Sequence, residues 1–595
     1  MILGIYHPAQ GVGHDTGVAL VDRSGRIIAA MSEERLSRVK MDGGFPFRAL
    51  DAVMRMGGVN TKDLDAVAVP FLNRADQAAE GARMLMSAVT QPSLIAGQYR
   101  TRSGHDAFQT GMRAIGAYGY VDDFKRRVQA VREQDGRPAV SDWREFLQVS
   151  GLGDVPLVQM DHHLAHAAGA YWMSGWTEAL VVTCDGVGAL KSSIVAVGRG
   201  TSLEMVGRTF YPNSPGEFWE AVTVICGFHH MKHGGKITGL AAHGDENAPC
   251  YEVLKRAMWA EGLTIRTDID PLALSTALAG VPREDIAAAA QRRLIEVVVD
   301  LIRASLAHTG LRRVALAGGV FANVRLNQAI AELPGVDEIF ICPAMGDEGL
   351  GVGAALWTAG TRYGALPARR SNMYLGPDYT EDEMQVALTA HGLTATRMED
   401  APLAEAVAER LASGMVVALS RGRLELGPRA LGHRTILYQT GDASVNDWLN
   451  KRLDRTEFMP FAPVTLAEES DRCYAGLDKC RYATEFMTVT CDCSAEMTRQ
   501  SPAVVHLDGT ARPQLIRRDI DAFYYDVLKA YHRRTGVPSL INTSFNMHEE
   551  PIVCTPDDAV RAFVRGHLDC LVLGPFLVDA ANAGSHGATS PGTPG

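Results

Sequence analysis

The stretch ALVVTCDGVG (residues 179–188) is followed by SIVAV (193–197) and LEMV (203–206). This is the pattern of a strand, a polar turn at residues 185–188, a second strand, a short hairpin and a third strand. The same pattern occurs near residue 1, where LGIYH (3–7) leads through a Gly-rich segment to GVALV (17–21) and a further hairpin. Two copies in one chain indicate a duplicated α/β unit. The alternative is two unrelated hairpins.

A duplicated unit of this kind builds the actin/hexokinase-type ATPase fold, in which a ligand lies between the halves and its phosphates lie near the two turns. We therefore predict an α/β chain with an actin-like domain over residues 1–365. Helical periodicity and many charges in residues 80–150 predict a helical insertion into this domain. The insertion either shapes a ligand pocket or makes a subunit contact, as in a homodimer.

The second half of the chain is predicted to form another domain. Residues 366–379 are rich in Gly, Pro and Arg without periodicity, which predicts a linker. A second α/β domain is expected over residues 380–582. Residues 583–595 consist mainly of Gly, Ser, Thr, Pro and Ala and are predicted to be disordered.

The composition of the 595 residues limits the classes of function. A net charge of −11 argues against nucleic acid as the main partner, because nothing broadly basic would neutralise phosphates. No uninterrupted apolar stretch is long enough to span a bilayer, so we expect no membrane contact. The chain starts directly as a strand rather than as a signal peptide. The ten cysteines are scattered and suggest no disulfide scaffold, which predicts a cytoplasmic protein.

The stretch DHHLAHAA (161–168) carries the best candidates for metal ligands. His162 and His166 stand four residues apart, so in a helix both imidazoles lie on one face. Asp185 and Asp347 each follow a predicted strand, where ligands gather in open α/β sheets. Two nitrogens and two oxygens suit a divalent first-row metal such as Fe²⁺, Mn²⁺ or Zn²⁺. The alternative is a purely structural role for the two histidines.

Several further residues could bind a nucleotide. Gly235 and Lys236 offer backbone N–H groups and an ammonium to a phosphate, although they do not form a Walker A motif. Gly318 and Gly319 follow a strand and allow a nucleotide to approach the backbone, and a helix begins near Asn323. The histidines at positions 229, 230 and 233 make a second metal site an alternative for this region.

The first polar turn carries candidate catalytic residues. His14, beside Asp15, could take a proton from a substrate hydroxyl at neutral pH. Lys40 could stabilise negative charge that develops on a carbonyl oxygen. The alternative is that these three are ordinary turn or surface residues.

The second domain has several arginines near short polar side chains. Arginines that converge in an acidic chain suit bidentate recognition of phosphates. The candidates are Arg429, Arg434, Arg455 and Arg512, together with Asn542 and Ser544 at the end of a predicted strand. The alternative is that the arginines pair on the surface with Glu425, Asp454 and Glu457.

Together these motifs resemble the O-carbamoyltransferases of antibiotic biosynthesis and of nodulation-factor decoration. The matching stretches are HD (14–15), SEERLSR (32–38), HHLAHAA (162–168), GKITGLAAHG (235–244), AGGV (317–320), GPRALG (427–432), PFAP (460–463), RPQ (512–514) and NTSFN (542–546). They cover nearly the whole chain except residues 80–150 and the tail. Met459 departs from the pattern, because many relatives carry an arginine there.

The resemblance implies an actin-like domain similar to the tRNA threonylcarbamoyl-transferases and a YrdC-like C-terminal domain. It implies that the C-terminal domain uses ATP, with Mg²⁺, to convert carbamoyl phosphate into carbamoyl-adenylate. The N-terminal domain would then transfer the carbamoyl group to a hydroxyl of a natural product such as an antibiotic or a glycoside. The sequence does not identify this acceptor.

The resemblance also assigns roles to individual residues. It implies that a metal, with Fe²⁺ as the first choice, is held by His162, His166, Asp185 and Asp347 and orients the adenylate phosphate. His14 matches the proposed base, and Lys40 matches the residue near the carbonyl group. The residues that match the YrdC-like site are Arg429, Arg455, Arg512, Asn542 and Ser544.

Other functions use related domains. A tRNA-modifying enzyme fused from the same two domains would transfer threonylcarbamoyl, and the acidic charge and the motifs of both domains count against it. A hydrogenase-maturation carbamoyltransferase would carry CxxC pairs and an acylphosphatase domain, which are absent from the sequence. A non-catalytic actin-like regulator would bind nucleotide without releasing pyrophosphate.

Overall fold

A computed structural model describes residues 1–8, 14–89, 110, 112–114, 140, 142–454 and 458–580. The strands are β1 Ile2–Tyr6, β2 Gly17–Val21, β3 Ile27–Ser32, β4 Ala66–Val69, β5 Leu157–Gln159, β6 Glu178–Gly188, β7 Lys191–Arg199, β8 Ser202–Phe210, β9 Met258–Glu261, β10 Thr264–Thr267, β11 Arg313–Ala317, β12 Glu338–Ile341, β13 Thr396–Arg397, β14 Val417–Ser420, β15 Arg434–Tyr438, β16 Ala462–Leu466, β17 Tyr474–Ala475, β18 Cys491–Cys493, β19 Thr510–Ala511, β20 Gln514–Ile516, β21 Ser539–Ser544, β22 Cys570–Leu573 and β23 Phe576–Asp579.

The helices alternate with these strands along most of the chain. They are α1 Glu34–Ser37, α2 Phe47–Gly57, α3 Arg74–Val89, α4 Trp143–Val149, α5 His162–Ser174, α6 Pro215–Ile225, α7 Gly234–Ala241, α8 Tyr251–Ala257, α9 Pro271–Ala277, α10 Arg283–Thr309, α11 Val324–Ala331, α12 Leu350–Tyr363, α13 Glu381–Ala390, α14 Asp400–Ala412, α15 Val445–Arg452, α16 Ser470–Cys473, α17 Arg481–Thr484, α18 Ala495–Gln500, α19 Ala522–Thr535 and α20 Pro556–Arg565.

Two five-stranded sheets in the first half of the chain share one topology. Their strand orders are β3-β2-β1-β4-β5 and β8-β7-β6-β11-β12. In each sheet the first three strands in the chain are antiparallel neighbours, and the fourth strand runs parallel to the first. The fifth strand runs parallel to the fourth. The duplicated actin/hexokinase-type unit predicted from the sequence is confirmed.

Helices α5 and α12 pack against each other and against the two sheets, α12 on β1 and β2, and α5 on β6 and β11. Both helices are rich in small residues, and this permits a close approach. At Gly353 in α12, a Cβ atom would overlap the carbonyl oxygen of Ala165 in α5. This packing brings the start of α12 next to the first turns of α5.

The prediction of a turn at residues 185–188 is wrong. Strand β6 continues through Asp185 to Gly188 with an irregular register after Cys184, and the turn lies at Ala189 and Leu190. A Cβ atom at residue 188 would overlap the imidazole ring of His162. The glycine therefore serves a close approach between β6 and α5 rather than the hairpin turn.

The second half of the chain contains an eight-stranded mixed sheet with the order β13-β23-β22-β14-β15-β21-β16-β20. Strands β17, β18 and β19, which come between β16 and β20 in the sequence, form a small sheet of their own. The α/β class expected for this part is confirmed. The boundaries at residues 365, 380 and 582 stay predictions.

Some predicted regions lie largely outside the described residues. Of the insertion at residues 80–150, the structure describes residues 80–89, 110, 112–114, 140 and 142–150, which include the end of α3 and helix α4. The tail at 583–595 is not described. No helix among the described residues is both long and apolar enough to cross a bilayer. All ten cysteines are described and are free thiols, as the sequence predicted.

Candidate functional site

Four predicted side chains meet between the two duplicated halves. One nitrogen or oxygen atom from each of His162, His166, Asp185 and Asp347 lies within 4.8 Å of the other three. Nε2 of His166 is 2.9 Å from Oδ2 of Asp185 and 3.3 Å from Oδ1 of Asp347. Nε2 of His162 is 3.7 Å and 3.6 Å from the same two oxygens. The sequence-based expectation that these residues converge agrees with this geometry.

The elements that carry these side chains explain why they converge. His162 and His166 lie on one face of α5, whose first turn is capped by the side chain of Asp161, which accepts from Leu164 N at 3.1 Å. Asp185 projects from the irregular part of β6. Asp347 opens the short 3₁₀ helix Asp347–Gly349 that leads into α12.

The electrostatics of the cluster fit a bound cation. Burial lowers the pKa of His166, but hydrogen bonds and charge from Asp185 and Asp347 outweigh it and raise the pKa to about 9. Nε2 of His162 is buried and makes no hydrogen bond. Two carboxylates beside two imidazoles, one with an unused nitrogen, form a donor set suited to a first-row divalent metal. The residues present therefore fit the metal that the sequence predicted.

The intervening His163 faces away from this cluster. Its Nδ1 lies 2.9 Å from Oγ1 of Thr183, and its Nε2 lies 2.9 Å from the carbonyl oxygen of Lys191. Burial, followed by the positive charge of His162 and His166, holds the pKa of His163 well below its usual value. A neutral His163 therefore ties α5 to β6 and β7 while its neighbours face the cluster.

One cavity adjoins the cluster, and a second cavity shares part of the lining of the first. The larger, of about 480 Å³, is lined by the predicted residues His14, Asp15, Lys40, Asp185, Gly235, Gly319, Asn323, Arg429 and Ser544. The smaller, of about 290 Å³, is lined by the predicted residues Lys40, Gly235, Arg429, Arg512, Asn542 and Ser544. Lys40, Gly235, Arg429 and Ser544 line both cavities, so predicted residues from the two halves of the chain lie where the two cavities adjoin.

His14 and Asp15 form a pair at the wall of the larger cavity. Nδ1 of His14 lies 2.9 Å from Oδ2 of Asp15. Burial lowers the pKa of His14, but the hydrogen bond and charge of Asp15, with charge from Asp347 and Asp185, raise it to about 10. The imidazole is thus oriented by its neighbour and faces the space next to the metal cluster.

Three of the predicted nucleotide- and phosphate-binding residues in the described part of the chain do not line these cavities. Arg434 is buried and donates to backbone carbonyls, among them Gly422 at 3.0 Å and His433 at 2.9 Å. Lys236 is buried, and Gly318 packs against the backbone of Cys184. Arg455 lies outside the described residues.

Glu425 does not form the surface ion pair that was the alternative for it. It is buried, and its Oε1 accepts backbone N–H groups of Leu431 at 2.8 Å and Arg434 at 3.1 Å. The carboxylate therefore fixes the tight turn that carries Arg429 to the cavities.

Three residues of the site were not predicted. The Tyr6 hydroxyl donates to Oδ2 of Asp347 at 2.6 Å, and the sequence signal was its position at the end of β1. Lys232 lines both cavities and stands three residues before Gly235, which was predicted. Glu348 lines the larger cavity, and burial together with the charge of Asp15 raises its pKa to about 8.

The alternative metal site at the second histidine group is not supported. The four-residue cluster is the single group of candidate ligands found in the described part of the chain. Nδ1 of His230 lies 3.4 Å from Oε2 of Glu220, while Nε2 of His233 lies 3.2 Å from Oε1 of Glu549. These two histidines thus face different carboxylates.

Comparisons with known proteins assign the chain to a family. Residues 2–356 match the family model described as the carbamoyltransferase N-terminus, and residues 408–580 match the carbamoyltransferase C-terminus. The chain belongs to the carbamoyltransferase family and is a transferase. The resemblance drawn from the sequence motifs is confirmed.

Two relatives extend this comparison over most of the chain. Nodulation protein NolNO of Sinorhizobium fredii is 31% identical over 585 residues, which cover 96% of this chain and 79% of that protein. Nodulation protein NolO of Bradyrhizobium diazoefficiens is 34% identical over 440 residues, which cover 70% and 78%. Among solved structures, full-length HypF in a phosphate- and nucleotide-bound form is 17% identical with a TM-score of 0.28, over 40% of this chain and 41% of that chain. A likeness at that level supports no argument about function.

Proposed function

We propose that this carbamoyltransferase is an ATP-dependent O-carbamoyltransferase that works in two half-reactions. In the first, carbamoyl phosphate and ATP give carbamoyl-adenylate in the smaller cavity. In the second, a hydroxyl of a small natural product takes the carbamoyl group in the larger cavity. We place both reactions in the cytoplasm, since free thiols suit a reducing compartment.

The first half-reaction requires one water molecule for its atoms to balance. Carbamoyl phosphate and water give carbamate and inorganic phosphate. A carbamate oxygen then attacks the α-phosphorus of ATP, and the bond to pyrophosphate breaks. The guanidinium groups of Arg429 and Arg512 would bind these phosphates. Asn542 is held in place by bonds to the Ala430 carbonyl at 3.0 Å and Gln514 Oε1 at 2.7 Å.

In the second half-reaction, the acceptor oxygen forms a bond to the carbamoyl carbon and the bond from that carbon to the AMP oxygen breaks. His14, oriented by Asp15, would accept the hydroxyl proton. Lys40 would stabilise the negative charge on the carbonyl oxygen. The oxygen atom that linked the carbamoyl carbon to the phosphorus leaves with AMP.

The four-residue cluster supports this role. A divalent cation, with Fe²⁺ as the first candidate and Mn²⁺ or Zn²⁺ as alternatives, would supply positive charge that orients the adenylate phosphate. Asp185 and Asp347 contribute to the raised pKa of His14. Partial neutralisation of these carboxylates would lower the pKa of His14 toward the range that a general base needs.

The observation that carries the proposal is the set of residues that line both cavities. Lys40 comes from the N-terminal part of the chain and Arg429 and Ser544 come from the C-terminal part. Carbamoyl-adenylate is a mixed anhydride that water would hydrolyse, so transfer between adjoining cavities would protect it.

The experiment is a mass-spectrometric assay of the full chain with ATP, Mg²⁺, carbamoyl phosphate and a panel of glycosides and other natural-product alcohols. We expect one accepted alcohol to gain a single carbamoyl group while pyrophosphate and AMP form. Pyrophosphate release that does not require carbamoyl phosphate would contradict the proposal. The control omits carbamoyl phosphate alone.

A further inference from the structure

A short segment of the C-terminal part contributes to the lining of both cavities. Residues 546–552 follow β21, and we call them the wall segment. Asn546 lines both cavities, His548 and Glu549 line the smaller one, and Pro551 and Ile552 line the larger one. A displacement of this segment would therefore alter both cavities at once.

The N-terminal part holds one end of the wall segment through Arg38. The guanidinium group donates to the carbonyl oxygen of Pro551 at 2.7 Å and to that of Ile552 at 2.8 Å. Its Nε also lies 3.5 Å from Oδ1 of Asp558, in the first turn of α20. A planar donor group that binds two successive carbonyls fixes the backbone in a way that a lysine cannot reproduce.

A second contact holds the middle of the wall segment at Glu549. Nζ of Lys232 lies 3.3 Å from Oε2 of Glu549, and Nε2 of His233 lies 3.2 Å from Oε1. Burial raises the pKa of Glu549, but Lys232 and His233 lower it to about 2, so the carboxylate stays charged. The backbone of Glu549 has a φ of 61°, a left-handed conformation that non-glycine residues rarely adopt.

Lys232 connects this contact to the substrate space. Its side chain is 6% exposed and lines both cavities. Glu549 holds the ammonium group of Lys232 where the two cavities adjoin. The same ion pair therefore positions both the wall segment and the Lys232 cation.

We infer that Arg38 and Glu549 are positioning residues that hold the wall segment across the junction, so that carbamoyl-adenylate reaches the acceptor hydroxyl before it meets bulk water. This inference rests on the proposed function. When the wall segment is released, water attacks the carbamoyl carbon and the adenylate gives AMP and carbamate. Pyrophosphate then forms without a matching amount of carbamoylated product.

The test measures the ratio of pyrophosphate released to carbamoylated product, with the full chain at saturating acceptor. We expect a ratio near one for the unaltered protein. For Glu549→Gln and Arg38→Lys we expect the ratio to rise severalfold, because adenylate that still forms is lost to water before its carbamoyl group is transferred. Glu405→Gln removes an exposed carboxylate that pairs with Arg534 and serves as the matched control with an unchanged ratio.

Two results would overturn the inference. One is an unchanged ratio in Glu549→Gln, the milder of the two variants and the one that keeps the size of the side chain. The other is a parallel loss of pyrophosphate and product, which would indicate a purely structural role. If the unaltered protein releases no pyrophosphate with carbamoyl phosphate, the proposed function itself fails, and with it this inference.

Discussion

Nε2 of His166 lies 2.9 Å from Oδ2 of Asp185, although one residue comes from helix α5 and the other from strand β6. Asp347, which opens the 3₁₀ helix before α12, completes the contact at 3.3 Å. The packing of α5 and α12 between the duplicated sheets thus creates the cluster. Helix α5 follows β5 and helix α12 follows β12, the fifth strands of the two sheets, so these two helices occupy equivalent places in the two copies.

We expect His166→Ala to abolish carbamoyl transfer while leaving pyrophosphate release largely intact. The change removes one of the four donor atoms of the cluster, which lies apart from the residues that line the smaller cavity. Elemental analysis of the purified protein, together with the two assays, checks this. His391→Ala, at an exposed ion pair with Asp557, is the control. Transfer that survives His166→Ala would rule out the metal assignment.

Tyr6→Phe should weaken metal binding without removing a ligand. The Tyr6 hydroxyl donates to Asp347 at 2.6 Å and thereby orients its carboxylate. Loss of such an outer hydrogen bond typically costs about 10- to 100-fold in metal affinity. Competition with a chelator of known affinity measures the change, and an unchanged affinity would show that Tyr6 does not orient Asp347.

Lys191→Met should destabilise the fold. Nζ of Lys191 is fully buried, 2.8 Å from Oδ2 of Asp161 and 3.1 Å from Oε2 of Glu80. Removal of the cation deprives two buried carboxylates of the partner that they share, a cost of about 3–5 kcal/mol in the free energy of unfolding. Thermal denaturation checks this.

A double variant provides the control for Lys191. Adding Glu80→Gln to Lys191→Met removes one of the two carboxylates that have lost the Lys191 cation, so part of the stability should return. If Lys191→Met melts at the same temperature as the unaltered protein, the buried ion pairs do not contribute as their geometry suggests.

The arginines of the C-terminal part should separate into two classes. Arg512→Ala should lower carbamoyl phosphate-dependent pyrophosphate release by about 10- to 100-fold, because a hydrogen bond to a charged group contributes about 1.5–3 kcal/mol. Arg434→Ala should instead lower the melting temperature, because its guanidinium satisfies buried carbonyls. Initial rates and denaturation curves of both variants measure these effects. A stable Arg434→Ala protein that has lost only pyrophosphate release would contradict this division.

The sequence was sufficient to predict that His162, His166, Asp185 and Asp347 lie together, because the signals for them are local. A spacing of four residues sets the face of α5, and each aspartate lies near the end of a strand. The turn after β6 was predicted at the wrong residues because Gly188 permits a tertiary contact, the close approach of His162, rather than a turn. The composition alone does not reveal this contact.

Residues whose partners are distant in the chain were beyond sequence reasoning. Lys232 and Glu549 are 317 positions apart, and the wall segment carries no motif that indicates its contacts. Arg429 and Arg434 are five positions apart, yet Arg429 lines the cavities and Arg434 is buried at the start of β15. Which arginine faces the cavity depends on the turn that Glu425 fixes, and this is a tertiary feature.

The central claim is that carbamoyl-adenylate forms on this chain, and isotope exchange between labelled pyrophosphate and ATP tests it most directly. With carbamoyl phosphate present and no acceptor, we predict that label enters ATP, because the attack of carbamate on the α-phosphorus is reversed by pyrophosphate. Without carbamoyl phosphate, no label should enter. Carbamoylated product that forms with neither exchange nor AMP would contradict the account.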